Sequence, residues 1–164
     1  MRIGQVDQPT RSCGVPVSAT ATTEHGPIDF VLLEFPRDQL TGEAGPALLD
    51  LVERGLIRLY DLMVISKDAD GSVEALELTD PGGAGGFTYF AGARSGLLGD
   101  DDVREAANAM KPNTVAALIV FENSWAAPFV TAVRGSGGDV VASGRIPASD
   151  LIDALESFEP ARGE

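Results

Sequence analysis

The chain has few of the residues that build most catalytic and metal centres. It contains one cysteine, Cys13, and one histidine, His25, among 164 residues. A single cysteine excludes an internal disulfide and a thiolate metal cluster. A single histidine disfavours a zinc site and a Ser-His-Asp arrangement. We therefore expect no metal, no cofactor, no catalytic residues and no enzymatic activity, and the residues of any ligand site stay unassigned.

Positive charge is also scarce, because 12 lysines and arginines stand against 25 acidic residues, for a net charge of −13. Such a surface repels phosphate backbones and anionic lipid headgroups, so we expect no nucleic-acid partner and no peripheral membrane binding. The N-terminus lacks a basic region followed by an apolar one, and no apolar run reaches the roughly 20 residues of a membrane span. These absences predict a soluble protein in a reducing, cytoplasmic setting.

The length fits one domain, and hydrophobic residues make up 44% of the chain, which is typical of a globular protein. Residues 1–26 are polar and rich in Gly and Pro without a period, which predicts a disordered or loosely attached arm. Residues 27–159 are expected to form the folded domain, and residues 160–164 a tail.

Periodicity predicts a strand or helix for most of that domain. The first half reads as a strand at Ile28–Phe35 that is apolar on both faces, a helix at Glu43–Arg54 ending before Gly55, and a strand at Leu56–Ser66 joined through an Asp-Gly turn to a third strand. The second half reads as a helix after Asp100–Asp102, a strand at Val115–Phe121, a helix at Ser124–Arg134 with Phe129 inward, a strand at Val140–Arg145, and an amphipathic helix from Pro147.

The order strand, helix, strand occurs twice, at Ile28–Ser66 and at Val115–Arg145. Two such units side by side predict an α/β (α+β) ferredoxin-like fold in which the most apolar strands are central. Residues Lys67–Asn113 then form an insertion that carries an extra edge strand, a Gly-rich loop and a helix.

Strands that are apolar on both faces need cover on both, since burying one aliphatic side chain contributes about 1.5–3 kcal/mol. Helices of the repeat cover one face only. The insertion helix, the final helix or a second copy of the chain could cover the other, and we expect a homo-oligomer.

Three groups of residues suggest chemistry. The Asp68–Gly71 segment partly matches a calcium loop, but Ser66 stands at the first ligand position and a plain hairpin explains the turn. Glu34 and Glu122, at the ends of the buried strands, are a candidate acid–base pair if they meet. Trp125 with the Gly-rich segment Pro81–Gly99 is a candidate small-molecule site, although aromatic residues are more often core.

The order of buried strand, helix, Asp-x-Asp-Gly hairpin, Gly-rich segment and the stretch from Asp100 to Phe121 resembles a bacterial family known only as a domain of unknown function, in an actinobacterial branch. Relatives implied by this resemblance carry a longer, more hydrophobic Gly-rich insert and are associated with membranes or stress. The insert is short here and contains Arg94. The resemblance implies the architecture and no catalytic residues. The leading expectation is a self-associating, stress-related or scaffolding protein; the alternative is an oligomeric small-molecule sensor.

Overall fold

The computed structural model describes residues 25–79 and 86–158. Within these ranges the chain is a mixed α/β domain with four strands and four α-helices. The strands are β1 (Ile28–Pro36), β2 (Arg58–Lys67), β3 (Val73–Leu76) and β4 (Thr114–Glu122). The helices are α1 (Ala44–Glu53), α2 (Asp100–Ala109), α3 (Ala127–Gly135) and α4 (Ala148–Phe158), with 3-10 turns at Arg37–Gln39, Phe87–Phe90 and Ser124–Ala126.

The strands form one sheet in the order β1-β4-β2-β3, and every neighbouring pair is antiparallel. β4 is central, and all its residues except Phe121 are buried. The apolar run of β4 therefore predicted its place correctly. β3 lies at one edge, as expected for a strand of the insertion.

The two faces of the sheet carry different helices. On the first, α1 and the Phe87–Phe90 turn pack on Leu62, Val64, Ala117 and Ile119. On the second, Ala106 of α2 and Met110, the residue that follows the helix, pack on Ile65, Ala116 and Leu118. We call these the α1 face and the α2 face. The insertion helix, one of the three elements that the sequence analysis considered as cover for the second face, is thus α2 and packs there.

Local signals in the sequence are confirmed where glycine or aspartate shapes the backbone. Gly55 follows α1 with a φ of 67°, and Gly71 closes the β2–β3 hairpin with a φ of 88°. Both values lie in the left-handed region that glycine adopts without strain. The Asp102 carboxylate accepts a hydrogen bond of 2.8 Å from the Gly99 amide at the start of α2.

The position of β1 corrects the sequence-based fold. We expected β1 to be central, with a strand at Val140–Arg145 beside it, but that segment forms no strand and β1 is an edge. Within residues 25–79 and 86–158, no strand pairs with the outer side of β1, and none of its nine residues is buried. Of the two strands predicted to be central, only β4 is.

The described part of the Gly-rich segment, residues 86–99, contributes Phe87 and Phe90 to the core. A Cβ on Gly45 of α1 would lie 1.9 Å from the Gly86 carbonyl oxygen, so a glycine lets α1 approach this segment closely. Phe129, predicted to point inward from α3, is exposed. The predicted arm up to residue 24, residues 80–85 and the tail lie outside the described residues.

Candidate functional site

The α2 face is only half covered. α2 packs over β2 and β4, whereas on β1, at the far side of the sheet, the side chains of Ile28 and Phe30 project from the same face and are 53% and 72% exposed. The uncovered half is continuous with the free edge of β1. This is the most prominent unpartnered apolar surface of the sheet in the described part of the chain.

Between β1 and α2 this surface forms an open groove of about 610 Å³. Its lining is Ile28, Asp29, Phe30, Leu32, Leu97, Leu98, Asp102, Glu105, Ala106, Ala109, Leu118 and Val120. Aliphatic and aromatic side chains dominate, and the charged members are all acidic. No lysine or arginine lines the groove among the described residues, so its chemistry is an apolar surface bordered by carboxylates.

Two buried polar contacts hold the wall of the groove that α2 forms. The carboxylate of Asp61, on β2, accepts hydrogen bonds from the Ser95 hydroxyl and the Leu98 amide, each 3.2 Å long, and so fixes the segment that leads into α2. The ammonium of Lys67 donates to the carbonyl oxygens of Ala107 and Met110 at the other end of the helix. A cation at a helix C-terminus is stabilising. The wall is therefore anchored at both ends.

One end of the α2 face, just beyond Val120, carries a buried carboxylate. Glu122 ends β4 with 2% of its surface exposed. Its two oxygens accept hydrogen bonds from the Gly26 amide at 2.8 Å and from the Tyr60 hydroxyl at 2.9 Å. The His25 Nδ1 lies at 3.5 Å and the Arg58 guanidinium at 3.8 Å. The β2–β4 register shifts between Leu59 and Asp61, at Tyr60, whose hydroxyl donates to Glu122.

These contacts decide the ionisation of Glu122. Burial raises the pKa of this carboxyl, but the hydrogen bonds from Gly26, Tyr60 and His25 and the charge of Arg58 outweigh burial and hold the pKa below its ordinary value. The pKa of Tyr60 is raised, first by burial and then by the Glu122 carboxylate. Glu122 is therefore an ionised acceptor that ties residues 25–26 to the sheet, rather than a proton donor near neutral pH.

The candidate acid–base pair does not form. Glu34 lies opposite Ala116 in the β1–β4 register, six residues along β4 from Glu122, which at ~3.4 Å per residue separates the two carboxylates by about 20 Å. Glu34 accepts hydrogen bonds from the Lys111 amide and the Thr114 hydroxyl, and the first of these chiefly lowers its pKa. The hypothesis that these two residues cooperate in catalysis is wrong.

Trp125 has different neighbours from those expected. It is exposed and lines a second cleft of about 730 Å³ between the start of β1, α3 and the segment 140–146. Residues 86–99 contribute nothing to that lining. The predicted pairing of Trp125 with the Gly-rich segment is thus absent from the part of the chain that is described.

The Asp68–Gly71 turn is a hairpin whose carboxylates bind protein groups. Arg37 donates to the Asp68 carboxylate and the Ser66 hydroxyl, and Ser72 donates to Asp70 from both its amide and its hydroxyl. Across residues 25–79 and 86–158, no group of three or more His, Cys, Asp and Glu side chains is arranged to hold a metal ion.

His25 and Tyr60 were not foreseen as a pair. His25 was assigned to the arm, yet its ring lies 3.3 Å from the Tyr60 hydroxyl and near Glu122. The signal available in the sequence was Glu122 itself, at the end of an otherwise apolar strand. A carboxylate that is buried there requires hydrogen-bond donors from other parts of the chain. The sequence gives no direct indication of which residues supply them.

Within the described residues, fold and site together define a mixed α/β fold with a half-covered sheet face and an open strand edge. The chain belongs to a family of unknown function, DUF6325, whose profile matches residues 24–162. The match begins next to His25, which agrees with the contact of that residue with the sheet. No curated protein and no solved structure matches the chain. No helix within the described ranges is long and apolar enough to cross a membrane.

Proposed function

We propose that this protein is a non-enzymatic, self-associating scaffold, and that it associates through the groove on the α2 face and the neighbouring edge of β1. The observation that carries this proposal is the exposure of Phe30, which stands 72% exposed between the groove and the free edge. An aromatic side chain in such a position is typical of the centre of an interface.

The chemistry of the groove favours a protein surface over a charged metabolite. Its floor is apolar, and the carboxylates of Asp102 and Glu105 on α2 border it and repel anions such as phosphates. A contiguous apolar patch beside an unpaired strand is a common site of chain–chain contact. A second copy of the chain is the partner that we propose.

We also infer that the ferredoxin-like fold is completed in the assembly. β4 lies between β1 and β2, which are joined through α1, as the first three strands of that fold require. The position that lacks a strand is the outer side of β1. A cytoplasmic, stress-related scaffold remains the role that we propose for the assembly, in keeping with the single cysteine and the acidic surface.

A second candidate function is binding of a small apolar ligand. The groove volume of about 610 Å³ lies within the ~300–1,000 Å³ that ligand pockets occupy. A ligand seated there raises the melting temperature by mass action. A thermal-shift screen with uncharged apolar compounds, run at a protein concentration at which light scattering shows only monomer, separates this function from assembly.

The test of self-association compares two exposed aromatic residues. Phe30→Ser removes the side chain between groove and edge, and Tyr89→Ser removes one that is 65% exposed and lines neither cleft. We expect the Phe30 variant to lose the oligomer and the Tyr89 variant to retain it, as measured by light scattering on a sizing column. An unchanged mass in both variants contradicts the proposed surface.

A further inference from the structure

The C-terminal arm, which we define as residues 139–158, is an apolar segment without cover. It follows α3 as an extended stretch and ends in α4. Val141 is 96% exposed and Ile146 is 76% exposed. On α4, Leu151, Ile152 and Leu155 share one side of the helix and are all more than half exposed. The arm therefore carries apolar side chains of the kind that are usually buried, yet these side chains are exposed.

The free edge of β1 offers the complementary backbone groups. The Pro27 carbonyl accepts a hydrogen bond from the Asn123 amide across the β1–β4 register. Because alternate residues of a strand point in opposite directions, Ile28, Phe30 and Leu32 direct their N–H and C=O groups away from β4. No backbone hydrogen bond reaches these groups from outside the sheet among the described residues.

We infer that the C-terminal arm of one copy docks on β1 of a second copy. Residues 140–146 add a strand to the free edge, and α4 lies in the groove beside α2 with its apolar side on Ile28 and Phe30. Asp150 and Asp153, on the other side of α4, then face water, away from the acidic border of the groove. This inference rests on the proposed self-association and names the element that is exchanged.

The structure favours a second copy because, among the described residues, no backbone hydrogen bond joins the arm to its own β1. Its path is fixed where α3 ends: the Gly138 amide donates to the Val133 carbonyl, Gly137 has a φ of 82°, and Arg134 pairs with Asp139. From there residues 140–146 pass their own β1 across the cleft of about 730 Å³. Exchange of an identical element between copies is a low-cost route to a dimer.

The size and charge of the arm also suit an interface. The 20 residues from Asp139 to Phe158 match the ~20–30 residues that each partner contributes to a standard interface. Arg145 is the only lysine or arginine of the arm. Arg145 and Asp29 line the same cleft; the Asp29 carboxylate accepts one hydrogen bond from Asn123, and a strand added at the β1 edge can bring Arg145 to it, because opposite charges attract.

Cross-linking tests the exchange directly in full-length protein. In a Cys13→Ser background, one chain carries Leu33→Cys on β1 and another carries Val141→Cys in the arm. The two are unfolded, mixed and refolded, then treated with a short bis-maleimide. We expect a two-chain product, and a chain carrying both cysteines gives two-chain rather than intrachain products. A mixture of Val141→Cys with Tyr89→Cys is the control and stays at background.

A pair of proline substitutions tests the added strand independently. Ala142 and Ser143 are exposed and outside any strand, so proline at either position leaves the isolated fold intact. Their N–H groups point in opposite directions along a strand, so one of the two prolines removes a ladder donor and the other does not. We expect one variant to raise the dimer dissociation constant about 30-fold, since each dimer loses two hydrogen bonds, and the other to change it little.

The outcomes separate the two claims. If the chain is a dimer but cross-links only at background, and if neither proline changes its dissociation constant, arm exchange is wrong and self-association is retained. A monomer with an intrachain cross-link shows that the arm closes its own sheet, which overturns both. Protection of the amides of residues 141–146 from hydrogen exchange, lost on dilution together with the dimer mass, supports exchange in the unmodified chain.

Discussion

Replacement of Glu122 by glutamine tests how the end of the sheet is held. The substitution keeps the shape of the side chain and removes its charge. In the structure the carboxylate accepts two short hydrogen bonds, from Gly26 and Tyr60, and lies near Arg58. Hydrogen bonds to an ionised group contribute about 1 kcal/mol more than neutral ones. Two such bonds give a predicted loss of about 2 kcal/mol.

The assay is urea unfolding at neutral pH, where a loss of about 2 kcal/mol lowers the midpoint by roughly 1 M for a domain of this size. Glu34→Gln is the matched control. Glu34 also accepts two hydrogen bonds, from Lys111 and Thr114, but it is exposed. We expect this control to lose less than about 1 kcal/mol.

The effect of Glu122→Gln should also depend on pH. The folded pKa of Glu122 is below its ordinary value of 4.5, so the stability that its charge contributes is present above the unfolded pKa and is lost as pH falls through the folded pKa. The difference in the free energy of unfolding between wild type and Glu122→Gln should therefore disappear at acid pH. An equal difference in the free energy of unfolding at neutral and acid pH contradicts the role of the charge at this end of the sheet. So does a Glu122→Gln variant that is no less stable than Glu34→Gln.

Three further predictions concern the supports of the groove and the assembly. Tyr60→Phe removes one hydrogen bond to the ionised Glu122 and should cost about 2 kcal/mol in urea unfolding, but only about 1 kcal/mol when combined with Glu122→Gln, where the bond that is lost is neutral. Lys67→Met frees two carbonyl groups at the end of α2 and should speed hydrogen exchange of that helix relative to α1; equal rates contradict it. Because each copy carries a net charge of −13, added salt should strengthen the dimer by screening repulsion, and a dimer that dissociates in salt requires a charged interface instead.

Local chemistry made much of the fold predictable from the sequence. The uninterrupted apolar run of β4 predicted its central place, and the Asp-Gly turn predicted the β2–β3 hairpin. Three aspartates before an apolar helical period predicted the start of α2. In each case the signal lies within a few residues and depends on backbone geometry or on burial of a single strand.

The errors arise where a local pattern depends on a distant partner. β1 is as apolar as a central strand, yet it is an edge because residues 140–145 do not pair with it. The apolar sequence of β1 predicts a buried environment that the described residues of one copy do not supply, and for this reason we propose a second copy. His25 stands in a polar stretch, and its contact with Glu122 spans 97 positions along the chain. No periodicity encodes such a pairing.

The most direct test of the account is the solution mass of the unmodified chain, measured by light scattering over a dilution series at low and high salt. We expect a mass of twice 17.1 kDa at high concentration and the monomer mass on dilution, with dissociation at a lower protein concentration in high salt than in low salt. A mass of 17.1 kDa at every concentration and both salts contradicts the central claim that β1 and the groove are covered by a second copy.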